Sequence, residues 1–519
     1  MLAGLINTAV SGLKLSQLAL SIAGQNIVNA NTEGYSRQSV SSETTLPQFN
    51  GVGYVGSGVT VSSIFRNTQQ YLIDQVTNDL SVLGEFEQYL ANVSQIDNLL
   101  ADPSTSIAAS MEDFFEALNG VANNPSGLES RQLLLTQTSL MLDRFGSAET
   151  KILNQNEALN SQLDSYARRI TTIGTEIAEL NRSISASDGL ANGAMPNDLL
   201  DRRDQLLNEL AEIVDVNTTI HSDLSMSVFI GEGQGLVIGP QPAELVAIDG
   251  LQDPSRADLA FMINNKPQAV TSQITGGEVG GVLRFRKEAL DPALNALGRI
   301  ALALTDSINR QQLLGVDLEG NLGNSIFTDI NDPVLSNNRV RVDARNPLPA
   351  DRQLSVDIDD LSQLTTSDYK LVFPGPGKRF SLVRPEDNTL VSQGILGGKL
   401  PDQISVDGFT INFKSGSFQA GDNYMIQPIR GVISNLDVLV NRPEAFALAS
   451  PIRTETGIGN QGGAFIASTL VSDVNTPSFN TIPGQLNPPV IIKLNSLHLL
   501  LMTCLITVIQ LILFRYIRH

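Results

Sequence analysis

Apolar residues return at every seventh position through the first thirty residues, at Ile6, Leu13, Leu20 and Ile27, flanked by Leu2, Ala9, Ala23 and Ala30. A seven-residue period keeps one stripe on one side of a helix, and such a stripe seeks a partner helix. The plain alternative is an amphipathic helix packed on its own domain. The stripe stops at Asn29, Asn31 and Gly34, residues that bond locally or accept left-handed backbone angles, so a turn is expected there. From Tyr35 to Val61, Ser, Thr and Gly with alternating Val59 and Val61 predict a loop and short strands.

The same spacing returns twice. One run is Leu72, Val76, Leu83, Phe86, Leu90, Val93 and Leu100, interrupted by Asp79 and Asp97. The other, Leu159, Leu163, Tyr166, Ile170, Ile173, Ile177 and Leu180, is unbroken. Both read as scaffold helices of an intrachain bundle rather than an intermolecular coiled coil. Asp102 and Pro103 open a shorter helix carrying Phe114 and Phe115, Asn123 to Gly127 form a turn, and a further helix spans about Asn197 to Val214.

Beyond residue 215, short apolar stretches such as Ser227 to Ile230 and Gly235 to Ile238 are broken by Gly, Asp, Asn and Pro, which predicts strands. A helix interrupts them at 288–309, where Leu290, Leu294, Leu297, Ile300, Ala301 and Leu304 make one apolar face. Strands resume from Val356 to Ile429, including Tyr369 to Phe373 and Phe409 to Phe413, as in a sandwich or barrel-like module. The fold class is therefore multidomain α+β: an N-terminal helix and loop over 1–64, a long heptad-patterned helical bundle over 65–214, an antiparallel β domain with a helical insertion over 215–450, and an atypical segment over 451–519.

The chain offers little to catalysis. Its 54 acidic against 34 basic residues give a net charge of -20, which repels nucleic acid. With one cysteine, Cys504, it builds no internal disulfide or thiolate cluster. Asp317, Glu319, Asn321 and Gly323 are spaced like part of a calcium loop but lack its terminal acid and its glycine, so a turn is expected. Asp201, Asp204 and the neighbouring arginines read as a solvated helix face, and His221 has no nucleophile motif beside it. We expect no enzyme activity, no cofactor and no metal. The N-terminus lacks the ordered head, apolar run and cleavage site of a secretory signal, which leaves a cytoplasmic protein or one exported without a cleavable signal peptide.

The stretch Asn26-Ile27-Val28-Asn29-Ala30-Asn31-Thr32-Glu33-Gly34-Tyr35-Ser36-Arg37-Gln38 resembles the N-terminal signature of the bacterial flagellar axial proteins, the rod, hook and hook-associated subunits. Asp102-Pro103 before Phe114-Phe115, Asn197 to Leu206, Gly280 to Leu283, Leu290-Asp291-Pro292, Gly315 to Asn321 and Gly421-Asp422 narrow the likeness to hook-associated subunits over residues 1–470. The resemblance implies an extracellular structural subunit that joins hook to filament and is exported unfolded. On that view 1–64 is an axial helix whose Ile6, Leu13, Leu20 and Ile27 carry assembly. Asn29, Asn31, Gly34 and Tyr35 set the turn, and Arg37 is offered to a neighbour's carboxylate. The implied partners are copies of itself in a ring, hook protein, the second hook-filament junction protein, the flagellar export machinery and an export chaperone. Hook protein itself is the rival reading, but it should lack the long heptad bundle. A membrane-anchored surface adhesin is the alternative from another class.

After about Asp473 the sequence leaves this pattern. A polar heptad helix is expected there, yet an 18-residue apolar run, Leu497 to Phe514, stands before Arg515 and Arg518. Such a run is long enough for a bilayer, but it conflicts with passage through an aqueous channel. We expect instead a shift of reading frame near residues 473–476, with the alternative frame encoding the missing helix.

Overall fold

The structure is a computed structural model that describes residues 2–49, 52–100, 106–188, 194–375, 378–397, 399–452, 455, 458 and 471–474. The apolar run 497–514 lies outside the described residues, among which no helix is long and apolar enough to cross a membrane.

The chain opens with α1 (Leu2–Val28), β1 (Gln38–Thr44), β2 (Gln48–Phe49), β3 (Tyr54–Val55) and β4 (Val59–Arg66). Helices α2 (Gln70–Leu100), α3 (Ile107–Asn123), α4 (Leu128–Ser185) and α5 (Asn197–Ile213) follow. Next come β5 (Val216–Ile220), β6 (Met226–Ile230), β7 (Gln234–Ile238), β8 (Gln241–Pro242), β9 (Leu245–Asp249), β10 (Ala257–Ile263) and β11 (Lys266–Ala269). Helices α6 (Gly277–Phe285), α7 (Asp291–Leu313) and α8 (Pro333–Asn338) lead to β12 (Val340–Val342), β13 (Gln353–Ile358), β14 (Tyr369–Val372) and β15 (Arg379–Arg384). The last strands are β16 (Thr389–Ile395), β17 (Asp402–Val406), β18 (Phe409–Ser415) and β19 (Asn423–Ile426). All the strand pairs among the described residues are antiparallel, in keeping with the α+β class expected from the sequence.

Two compact units form, one from Met1–Leu99 with Ile152–Asp291, the other from Leu100–Lys151 with the described residues from Pro292 onward. A division at residues 64, 214 and 450 sorts elements by type, whereas contact groups them across the sequence. The β-rich stretch is accordingly shared: β5 to β11 fall in the first unit and β12 to β19 in the second.

In the first unit the α4 seam is the core. Leu159, Leu163, Ile170, Ile173 and Ile177 are buried, with Tyr166 and Leu180 half-buried, so this heptad run packs within the chain as predicted. Around it lie Leu206, Leu207 and Leu210 of α5, Val228 and Ile230 of β6, and Val279, Val282 and Phe285 of α6. Buried Asn181 joins the helix to the sheet β5-β6-β7-β8: its amide donates to the carbonyls of Met226 and Gly239, both at 2.7 Å, and its oxygen accepts from Met226 N at 3.1 Å. A buried amide satisfied this fully adds specificity without a desolvation penalty.

The other inner heptad run is a correction. Leu72, Val76, Leu83, Phe86 and Leu90 of α2 are exposed among the described residues, and Thr77, Ser81, Asn92 and Ile96 are buried instead. Close backbone approach decides the face. A Cβ on Gly84 would lie 2.4 Å from the Glu212 carbonyl oxygen, and one on Gly281 of α6 would lie 2.5 Å from that of Glu85, so α2 packs through its glycine and small polar side rather than its seam. We predict that Leu163→Ala costs about 2–5 kcal/mol of stability while Leu83→Ala stays within about 0.5 kcal/mol. Urea denaturation followed by circular dichroism checks both, and equal losses would mean that the α2 seam is packed after all.

In the second unit a five-stranded sheet, β12-β19-β14-β15-β16, faces a three-stranded one, β13-β18-β17. Aromatic pairs bridge them: Tyr369 with Phe409 at 5.0 Å and Phe373 with Phe413 at 6.5 Å between ring centroids. This is the sandwich expected of the β segment. Of the predicted apolar face around α7, Leu290, Leu294, Leu297 and Ala301 are buried, Leu304 is half-buried and Ile300 is exposed. Asn309 on that helix donates to the Phe327 carbonyl and accepts from Ile326 N and Phe327 N, all at 2.9 Å. The stretch resembling a calcium loop is a turn, in which Asp317 Oδ1 accepts from Glu319 N at 2.9 Å and Asn321 N at 2.8 Å.

Glu149 of α4 is buried in this unit. Burial pushes its carboxyl up to about 7, against hydrogen bonds from Ser434 that favour the charged form. The folded chain then holds a proton that the unfolded chain has released, so this group's stabilising contribution is present below about pH 4.5 and is lost as pH rises toward 7. Glu149→Gln is predicted to flatten the stability profile of the second unit across that window and to raise its melting temperature at neutral pH. An unchanged slope in calorimetry from pH 4.5 to 7 would contradict it.

Candidate assembly surface

The two sides of α1 have different partners. Ile22 is buried, and Ser11, Leu15, Leu18 and Asn26 are half-buried, on the side that meets β1 and β4. Two residues further along a helix lie about 200° around it, so the heptad stripe points the other way. Ile6, Leu13, Leu20 and Ile27 are 55%, 60%, 75% and 76% exposed, respectively. Exposure on this scale over about six helical turns gives a continuous apolar stripe rather than scattered side chains.

The helix ends at Val28, where the sequence predicts a turn. Asn29 stays half-buried, with its amide donating to the Gln25 carbonyl at 3.0 Å and its side-chain oxygen accepting from Thr32 Oγ1 at 3.3 Å. Asn31 lies exposed in the turn. Gly34 has φ +77°, and a Cβ there would touch the Gln205 side chain at 3.4 Å. The Tyr35 hydroxyl donates to Asn26 Oδ1 at 2.9 Å, and the Asn26 side chain also accepts from Gln38 N and donates to Gln38 O, both at 2.9 Å. Burial, then the negative field of Asp201 and Asp198, raises the Tyr35 phenol above its ordinary value. Arg37 is exposed, and in the amide orientation that its neighbours require, Asn67 accepts from Arg37 Nε at 3.0 Å.

The residues that anchor this turn come from α5 and were read from sequence as a solvated face. Asp201 is buried instead. Its carboxylate takes Arg66 Nη1 at 2.9 Å and Ser36 N at 3.1 Å, and Asp204 takes the same guanidinium at 2.7 Å. Arg203 is buried as well, donating to the Leu224 carbonyl at 2.6 Å. The sequence signal was present in Asp201 and Asp204, which stand beside the apolar positions of α5, but their partner Arg66 lies 135 and 138 residues away. His221 also gained a partner that no motif announced: its Nε2 lies 2.8 Å from Ser227 Oγ, and that oxygen accepts from Gly239 N at 3.2 Å. Ser227 is buried in the sheet, so the pair has a structural place.

Residues 6–35, which span most of α1 and its turn, match the flagella basal body rod protein family. Residues 93–327 match the helical domain of flagellar hook-associated protein FlgK, and 342–428 the D2-like domain of flagellar hook-associated protein 1. The flagellar hook-associated protein 1 of Salmonella typhimurium is 31% identical over 464 residues, 88% of this chain and 81% of that protein. The chain belongs to the flagellar hook-associated protein 1 family. Its Escherichia coli relative is 29% identical over 458 residues, 86% of this chain and 80% of the relative. The solved structure of the flagellar hook junction protein FlgK from Burkholderia pseudomallei is 27% identical with a TM-score of 0.65, over 73% of this chain and 66% of that one, so just under two thirds of that protein is spanned.

Removing one member of a buried ion pair leaves the other unpaired, at a cost of about 3–5 kcal/mol. Asp201→Ala is therefore predicted to lower the melting temperature and to speed tryptic cleavage after Arg37. Cleavage at the unchanged rate would show that Asp201 does not hold the turn.

Proposed function

We propose that this chain is a structural subunit joining the hook of the bacterial flagellum to its filament, with α1 as its assembly element. The observation that carries this reading is the helix with one face anchored to β1 and β4 and the opposite, heptad-spaced face exposed at Ile6, Leu13, Leu20 and Ile27. Covering such a stripe releases roughly 1.5–3 kcal/mol for each large apolar side chain, enough over four to hold helices together by coiled-coil packing. Asn29, Asn31, Gly34 and Tyr35 set the direction in which α1 leaves the rest of its unit, and Arg37 is the cation placed for a neighbour's carboxylate. The partners are copies of the chain in a ring, hook protein and the second junction protein. Export as an unfolded chain through the flagellar machinery, without a cleaved signal and with a chaperone, suits a protein with no internal disulfide to form.

The test is complementation of a bacterial strain lacking its hook-filament junction protein. Leu13→Asp combined with Leu20→Asp should leave the circular dichroism spectrum and the amount of secreted chain unchanged while abolishing swimming. Swimming restored by that double variant to the level of the unaltered chain would refute an assembly role for the stripe.

A further inference from the structure

The second unit leaves one sheet edge open. Strand β16 ends the five-stranded sheet and pairs on one side only, with β15. The other edges of the sandwich are guarded. Strand β12 is three residues long, carries Arg341 and contacts α8 and β13. Strand β13 lies against α8, and β17 follows Pro401 and begins at Asp402. Short strands, charges, prolines and covering helices keep such edges from pairing with other chains.

Within Thr389–Ile395 there is no charge and no proline, and Leu390 and Ile395 are 49% and 65% exposed. They share one face of the sheet, because their partners Val383 and Arg379 stand four residues apart on β15. Val391 is an extra residue between Leu390 and Ser392 in the ladder with β15, so the regular part of the open edge is 392–395.

Charge selects the occupant. Lys378, Arg379 and Lys399 stand by backbone position at the C-terminal end of this edge. Arg379 is the cross-strand partner of Ile395, the Lys378 carbonyl accepts from Leu396 N at 3.0 Å, and a Cβ on Gly397 would lie 3.9 Å from the Lys399 carbonyl oxygen. Among the described residues none of the three pairs with a carboxylate. The neighbouring acid, Asp402, is turned to the backbone, accepting from Gly397 N and from Gln403 N at 2.9 Å. Arg384 is already held by Asp387 at 3.5 Å and Asp407 at 3.3 Å. In a chain with 54 acidic against 34 basic residues, three uncommitted cations at the end of an open edge are complementary to carboxylates on a partner. We propose that β16 binds an extended peptide segment with carboxylates at its N-terminal end, which adds to the sheet as a further antiparallel strand. The main chain of 392–395 supplies the hydrogen bonds, and Leu390 and Ile395 supply the apolar contact. Antiparallel addition places the segment's N-terminal end beside Ile395, where the cations stand. This surface belongs to the second unit and is independent of α1.

The test uses the full-length chain and a fluorescent synthetic peptide in which a few glutamates precede alternating threonine and valine. Saturable binding by fluorescence anisotropy is expected. It should weaken about tenfold or more when lysines replace the glutamates, and equally in the combined variant Lys378→Glu, Arg379→Glu and Lys399→Glu, whose circular dichroism spectrum stays unchanged. N-methylation at alternate strand residues removes the donors from one edge of the peptide, so one of the two alternately methylated forms should lose binding and the other keep it. Equal behaviour of the two forms would exclude strand addition and overturn the proposal, as would no binding of the unmethylated peptide. Self-association of the chain in sedimentation that Ile395→Lys abolishes would assign the edge to a second copy and overturn it as well.

Discussion

Burial of the α4 seam from Leu159 to Ile177 organises the first unit, because the elements that reach the N-terminal surface are placed by it in turn. Leu206, Leu207 and Leu210 bury α5 in the same core, and this presents Asp201 and Asp204 toward Arg66 and Ser36. The carboxylates fix the ends of the segment between α1 and β4, and Asn26 with Tyr35 and Gln38 closes the turn from the other side. The direction of α1 is thus set by a hydrophobic core to which the helix itself contributes little.

Apolar surface in this unit is divided between fold and surface by geometry rather than by amount. The runs on α2 and α4 look alike in spacing, yet one is buried and the other exposed. What separates them is the neighbours' backbone: Gly84 and Gly281 allow α2 to approach through its narrow side, and that contact turns the larger side chains away. On α1 the division serves assembly, since the anchored face satisfies Ser11 and Asn26 while the stripe stays open. The neutrality of the first 65 residues in an otherwise acidic chain works in the same direction. It removes the like-charge repulsion that would oppose contact between copies at that surface.

Much of the architecture was legible from local pattern. Helix α5, the turn expected at 123–127 (Asn123 itself closes α3), the insertion that became α7 and the strand runs at Tyr369 and Phe409 followed from periodicity and turn chemistry, which act over a few residues. The flagellar likeness was legible as well, because the stretch from Asn26 to Gln38 is a continuous motif whose polar members bond to one another within twelve residues. The burial of Asp201 and Arg203 was not, because charged residues on a helix are usually solvated and nothing nearby in sequence marks Arg66 as their partner.

By itself, then, the sequence determined most of the helices and strand runs, the acidic and disulfide-free character of the chain, and the family to which it belongs. Each is encoded by residue type at short spacing. Only the tertiary structure decided which of the heptad seams is core and which is surface, and that Asp201 and Asp204 form a clamp. Those outcomes depend on backbone approach and on pairings across more than a hundred residues, and no period in the sequence carries that distance.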